Sequence, residues 1–251
     1  MKPRRRQAQI AELVSQQGQA SVEALAALYG VSAETIRRDL SELSGAGLVE
    51  KFHGGARRSR LLVENSFLDR VHENSEAKVE IAKKVEDLIQ DGETIFIDTG
   101  STTLACAQRL VRKSGLTVVT NSARIAQTLA IGESQSRVYL LGGMFRADNA
   151  QTVGPIAIEQ IRKFRADRAI LTVTALDTTS GASDADIEEA HVARAMLECA
   201  NQLVILADST KMEKRAAFNV CRLEDIDTLV TDRRPPPFFK MLLDRADIEV
   251  F

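Results

Sequence analysis

Two sets of side chains in this sequence have the types and spacing to do chemistry. In the first, Ser32, Thr35, Arg37, Arg38 and Ser41 fall close together, and Lys51 and His53 follow soon after. Arginine presents a planar fork of donors that matches a guanine edge or a phosphate, so this set suits an extended polyanion. In the second, loops rich in glycine, hydroxyls and amides recur: Asp98-Thr99-Gly100-Ser101-Thr102-Thr103, Thr120-Asn121-Ser122 and Gly142-Gly143. Glycine lets backbone come close, and the free amides of a helix start point outward, which suits a small bound phosphate. A plain helix cap explains any one such loop equally well; three in succession favour a site.

The first set needs a helix to aim it. Ile36, Leu40 and Leu43 recur at helical spacing and share one side, leaving Glu34, Arg38, Ser41 and Glu42 opposite, with Thr35 and Arg37 on the flanks. Gly30 suits the positive φ that closes a preceding helix and Ser32 suits an N-cap, so the gap is the short turn of a helix-turn-helix. Val22, Leu25, Ala26 and Leu28 give the preceding helix an apolar stripe; Ile10, Leu13 and Val14 do so for a first helix beginning near Arg4. Leu48 to Phe52 with Gly54-Gly55 predict a two-stranded wing that carries Lys51 and His53 to a sugar-phosphate backbone. In this reading Thr35 and Arg38 approach bases in the major groove of double-stranded DNA, while Arg37 and Ser32 hold phosphate.

Charge weighs against the bland alternative, in which Arg37 and Arg38 merely solvate a helix face. Residues 1–60 hold ten Lys/Arg against six Asp/Glu, net +4, whereas residues 61–251 hold 23 against 29, net −6. A basic module on an acidic remainder fits a DNA-binding head attached to a different working domain. The same asymmetry speaks against a third reading, a pure protein-interaction module.

The second set needs a sheet. After a helix from Ser75 to about Ile89, apolar runs at Thr94–Ile97, Leu116–Val119, Val138–Leu141, Ala169–Val173 and Leu203–Leu206 read as buried strands. Helical patterns at Thr102–Val111, Ala123–Ile131, Ile156–Lys163 and Ile187–Ala200 fall between them, which predicts a mostly parallel α/β sheet. A further strand at Ile226–Val230, a helix from Pro235-Pro236-Pro237 and an edge strand at Ile248–Phe251 close the chain. Ligands in such sheets sit beyond the carboxyl ends of the strands, where these loops lie. Asp98 is expected to accept bonds from sugar hydroxyls, with Gly100, Ser101, Thr102, Thr103, Asn121, Ser122, Gly142, Gly143 and Glu189 around the ligand.

Asp184, Asp186, Glu188, Glu189 and His191 cluster, yet the dipole of the helix they open explains the acids without a metal. Neither a metal, a cofactor nor a catalytic residue is expected. Cys106, Cys199 and Cys221 are odd in number and far apart, so reduced structural thiols are expected rather than disulfides. No apolar run approaches a membrane span and no signal segment opens the sequence, which predicts a cytoplasmic protein without a membrane partner. The domains are expected at 1–60, winged helix-turn-helix; 61–74, linker; and 75–251, effector-sensing α/β domain.

The run Val31-Ser32-Ala33-Glu34-Thr35-Ile36-Arg37-Arg38-Asp39-Leu40, with Leu43, Leu48 and His53-Gly54-Gly55-Ala56, resembles the DeoR/GlpR family of bacterial transcriptional regulators. The likeness continues through the three loops, Leu141-Gly142-Gly143 included, to Ala207-Asp208-Ser209-Thr210-Lys211. It implies a repressor of a carbohydrate or polyol operon. Its C-terminal domain would resemble ribose-5-phosphate isomerase and sense a phosphorylated sugar or polyol. It also lifts Lys211 from a solvated lysine to the effector's positive partner. Two segments depart from the family pattern. Thr174-Ala175-Leu176-Asp177 stands where relatives have a glycine-rich strand end, and Ala193 precedes Arg194-Ala195-Met196 where a lysine is common. A retained sugar-phosphate isomerase activity is the alternative, but no matched acid and base is evident, since the Asp-Gly-Ala-Asp loop of such isomerases is missing. One head offers little interface, so specific DNA binding implies a homodimer or homotetramer assembled through the C-terminal domains.

Overall fold

A computed structural model describes residues 3–45, 49–58, 64–131 and 135–251. The chain forms two compact units, Met1–Leu61 and Leu62–Phe251.

The first unit runs α1 (Pro3–Gln17), β1 (Gln19–Ser21), α2 (Val22–Tyr29), α3 (Ala33–Gly45), β2 (Val49–Phe52) and β3 (Gly55–Arg58). Ile10 and Val14 of α1, Val22 and Leu25 of α2, and Ile36, Leu40 and Leu43 of α3 enclose its core with Val49 and Ala56. Gly30 caps α2 in the left-handed region (φ 62), and the Ser32 Oγ accepts the Thr35 amide at 3.2 Å to open α3. Three expectations need correction. Leu28 stands 60% exposed, because the α2 stripe is only as wide as two flanking elements can cover. The wing has a third strand, β1, in the order β1-β3-β2; at three residues it is too short to show alternation. Gly55 is required by that pairing, since a Cβ there would lie 2.4 Å from the Ala20 carbonyl oxygen. Finally, α1 starts at Pro3, one residue before the expected Arg4, as suits a proline in a first turn. Leu48 and the domain boundary at residue 60 lie outside the described residues.

The second unit runs α4 (Phe67–His72), α5 (Ser75–Leu88), β4 (Thr94–Ile97), α6 (Ser101–Leu110), β5 (Thr117–Thr120), α7 (Ala123–Ile131), β6 (Arg137–Leu140), β7 (Met144–Arg146), β8 (Gln151–Val153) and α8 (Pro155–Ile161). It continues through β9 (Ala166–Thr172), β10 (Ala175–Asp177), β11 (Gly181–Asp184), α9 (Ile187–Glu198), β12 (Ala200–Leu206), β13 (Phe218–Cys221), β14 (Thr228–Val230), α10 (Pro237–Arg245) and β15 (Glu249–Val250). Seven strands form one parallel sheet in the order β15-β14-β12-β9-β4-β5-β6. Period-2 alternation divides its side chains between two cores. Ile95, Ile97, Val118, Ile170, Val204 and Leu206 pack under α5, α6 and α7. Phe96, Val119, Ala169, Leu171, Leu203 and Ile205 pack under α8, α9 and α10. Burial on both faces is why these strands read as continuous apolar runs.

The strand order reverses at β4, with β5 and β6 to one side and β9, β12, β14 and β15 to the other. A crevice therefore opens above the carboxyl ends of β4 and β9. The sequence reading also misses two small antiparallel sheets, β7-β8 and β10-β11-β13, whose strands are short and partly polar. Within the 61–74 segment assigned to a linker, α4 is a helix capped by Ser66 and anchored by the buried Phe67 ring, over which Arg124 lies 4.8 Å from the centroid. Six residues are too few to show helical periodicity. The three cysteines are buried and free. Among the described residues, no helix is long and apolar enough to cross a membrane.

Candidate nucleic-acid interface and effector pocket

In the first unit, a buried ion pair sets the pose of α3. Arg6 Nε of α1 donates to Asp39 Oδ2 at 2.6 Å and Gln7 Nε2 donates to Asp39 Oδ1 at 3.0 Å, with Arg6 and Asp39 side chains 7% and 4% exposed. Asp39 thus points inward from the middle of the Arg37-Arg38-Asp39-Leu40 motif, and Arg37 and Arg38 point outward. The sequence reading gives Asp39 no such role, because an acid beside two arginines looks solvated.

Arg37, Arg38, Ser41, Lys51, His53 and Ser32 are exposed and Thr35 half-buried. Arg37 pairs with Glu34 at 3.2 Å and Arg38 with Glu42 at 3.4 Å, both along the helix surface. Exposed pairs of this kind contribute about 1 kcal/mol at most, so both guanidiniums exchange readily onto a phosphate or base. Lys51 Nζ donates to Ser41 Oγ at 2.8 Å, and Ser41 Oγ donates to the Arg37 carbonyl, so helix and wing share one cationic surface. Ser32 Oγ also lies 2.9 Å from Thr35 Oγ1, at the exposed start of α3.

In the second unit, Asp98 bridges the switch point, its Oδ2 accepting from the Thr172 amide at 3.0 Å. Its Oδ1 is buried without a hydrogen-bond partner, and burial, with the charges of Asp184 and Glu189, holds the carboxyl well above its usual range. Gly100 lets the β4–α6 loop close against β9, since a Cβ there would lie 2.2 Å from Thr172 Cγ2. Beside it lies a polar cavity of about 170 Å³ whose lining includes Ser101, Thr172, Thr174, Arg70, Lys78 and Lys211, with Lys214 at its edge. Burial lowers the Lys78 pKa, and the Lys211 charge lowers it further. On the lining the cations Arg70, Lys78, Lys211 and Lys214 outnumber the acids Glu64, Glu73 and Asp208, a balance that favours an anion.

Of the residues expected at the ligand, only Ser101 and Lys211 line this cavity. Others join it through a chain of hydrogen bonds. Arg70 Nη2 donates to Asn149 Oδ1 at 2.9 Å and Asn149 Nδ2 donates to Glu189 Oε1 at 2.6 Å. Gln151 Nε2 also donates to Glu189; Asn121 Nδ2 donates to Gln151 Oε1 at 3.3 Å, and Thr99 Oγ1 to Asn121 Oδ1 at 3.3 Å. Burial first, then the Asp184 charge, pushes Glu189 up to about 7. Thr102 and Thr103 are buried in α6, and Thr103 Oγ1 donates to the Gly100 carbonyl. Ser122 Oγ accepts the Ile125 amide at the start of α7. The Gly142 amide donates to Gln160 Oε1, and Gly143 (φ 142) turns the chain into the β7-β8 hairpin. These five residues do not line the cavity.

Arg70, Lys78 and Lys214 are pocket residues that sequence reasoning missed. Lys78 alternates with Ala77 and Ile81 on α5 as solvated lysines do, and Arg70 finds Asn149 across 79 residues of chain, so no local signal marks either. In the acidic cluster, Asp186 caps α9 by accepting the Glu188 and Glu189 amides, as a dipole argument requires. Among the described residues, no group of His, Cys, Asp or Glu is placed to hold a metal ion.

A winged head that presents arginines, followed in one chain by a sheet domain with an anion pocket at its switch point, defines a class of DNA-binding regulators that carry their own small-molecule sensor. Family models match both parts: a DeoR-like helix-turn-helix domain over residues 6–60 and a DeoR C-terminal sensor domain over residues 73–233. The chain belongs to the DeoR family of transcriptional regulators. It is 36% identical over 250 residues to the glycerol-3-phosphate regulon repressor of Escherichia coli, covering 100% of this chain and 99% of that protein. It is 34% identical to the E. coli transcriptional repressor CsqR, covering 96% and 92%. To the repressor GlcR of Bacillus subtilis it is 31% identical, covering 96% and 93%. The ribose 5-phosphate isomerase A of Methanocaldococcus jannaschii aligns with 56% of this chain and 55% of its own at 16% identity and a TM-score of 0.42. The glycerol-3-phosphate regulon repressor, CsqR and GlcR are all named as repressors.

Proposed function

We propose that this regulator represses a carbohydrate or polyol catabolic operon in the cytoplasm and leaves its operator when a phosphorylated sugar or polyol enters the Arg70–Lys78–Lys211 pocket. The observation that carries this reading is the crowding of those three cations beside Ser101 and Thr172 at the switch point. At about 170 Å³ the cavity is smaller than the ~300 Å³ at which drug-sized pockets begin, which suits a small phosphorylated polyol better than a nucleotide. Asp98 Oδ1 and the Glu189 network offer polar partners for ligand hydroxyls near the pocket.

The head, residues 1–60, reads DNA with Arg38 and Thr35 toward bases, Arg37, Ser32 and Ser41 toward phosphate, and Lys51 and His53 from the wing. Two or more heads act together in a homodimer or homotetramer. Support comes from the edge strand β6 and the β7 strand that follows it, where Tyr139 and Leu140 are 45% and 51% exposed and Met144 and Phe145 are each 59% exposed. An unprotected apolar strand edge of this kind invites pairing with a second copy.

Thermal melts of the full chain with sugar phosphates, polyol phosphates and their unphosphorylated parents test the sensor. Stabilisation by a phosphorylated member without turnover, abolished in Lys211→Met, is expected. Turnover would restore the isomerase reading, and stabilisation that survives Lys211→Met would place the ligand elsewhere.

A further inference from the structure

Glu64 is an anion seated in an anion pocket. It lies two residues past the start of the second unit at Leu62, and lines the same cavity as Lys78, Lys211 and Lys214. Its Oε2 accepts from Arg70 Nη1 at 2.7 Å, with the two side chains 20% and 13% exposed. The same carboxylate adds to the burial that pushes Asp184 up to about 6 and Glu189 up to about 7, so it sits against a repulsive field. Arg70 meanwhile keeps a buried Nε without any hydrogen-bond partner, a donor that Glu64 leaves unused. The neighbouring residues clasp the same rim: Asn65 Nδ2 donates to Glu73 Oε1 at 2.7 Å, and Ser66 Oγ accepts the Asp69 amide at 3.3 Å.

Resting on the pocket reading above, we infer that Glu64 is the built-in counter-anion of the sensor, and that the ligand's phosphate exchanges with it on Arg70. A phosphate carries more charge and more acceptor oxygens than a carboxylate, and can take the Nη and Nε donors of one guanidinium together. The exchange returns Glu64 to water. Because Glu64 lies so close in sequence to the head, the ligand's gain in binding is tied to release of Glu64 and Asn65 from the pocket rim. A ligand shifts the protein only by its preference for one state, and here that preference is competition for one guanidinium.

Calorimetric titration of the full chain with inorganic phosphate and with glycerol 3-phosphate tests this, comparing wild type with Glu64→Gln and Glu64→Ala. Both variants are expected to bind each probe at least about tenfold more tightly, a gain of about 1.4 kcal/mol. Trypsin supplies a second readout at Arg60, the last arginine before Glu64: phosphate accelerates cleavage in wild type, and the variants cleave at the accelerated rate without it. If wild type binds the probes and the variants bind no more tightly, the counter-anion role is wrong and the pocket stands. If wild type binds neither probe, pocket and counter-anion fall together.

Discussion

Arg38 and Glu189 show opposite ways in which a residue's chemistry is set. Arg38 is held only by an exposed 3.4 Å pair with Glu42, so its removal leaves the fold alone. Arg38→Ala is expected to weaken operator binding by about 1–3 kcal/mol and to relax preference at one base, measured by gel shift at matched salt. Its outward aim was legible because helical periodicity alone fixes the buried side of α3. Glu189 is governed by burial. Its folded pKa of about 7 lies above the ordinary 4.5, so its contribution to stability is complete below about 4.5 and is lost as pH rises through 7. Glu189→Gln is therefore expected to flatten the fall in stability between pH 4.5 and 8, by on the order of 1 kcal/mol or more, and thermal melts across that range would show it. Arg70 and Lys78 were illegible at this scale, since a charged side chain looks solvated until distant chain closes over it.

At the scale of elements, α1 sets the pose of α3 through the Arg6–Asp39 pair. Removing one partner of a buried ion pair leaves the other uncompensated, so Asp39→Ala is expected to destabilise the head by roughly 3 kcal/mol. Urea unfolding of the full chain would resolve an early transition for the head, and a variant melting like wild type would show that the Arg6–Asp39 pair is dispensable. Long elements were legible: α7 occupies Ala123–Ile131 as its pattern predicts, and β4 occupies Thr94–Ile97. What escaped were α4, β1 and the strands of the two small sheets. None exceeds six residues, and their order comes from partners far along the chain: Phe67 under Arg124, and β1 against β3. The missed α4 brings Arg70 to the pocket, so the error at the level of elements produced the error at the level of residues.

For the whole molecule, a head of net charge +4 and a remainder of net charge −6 divide the labour. In the proposed function, contacts of the head to phosphate release counterions, so operator affinity is expected to fall with salt, whereas pocket occupancy is expected to act through differential binding to two states. The parallel sheet was evident from short apolar runs alternating with helical patterns. The switch point was not, because strand order is a property of the assembled sheet. The central claim joins the two domains: an anion in the pocket lowers affinity for DNA at the head. It is tested most directly by selecting bound duplexes from fragmented genomic DNA with the full chain, then titrating phosphorylated sugars and polyols into the selected complex while following fluorescence anisotropy. The expected result is salt-sensitive binding to repeated half-sites, released by a phosphorylated ligand in wild type and retained in Lys211→Met. Retention of DNA by wild type at a ligand concentration that saturates the pocket would contradict it.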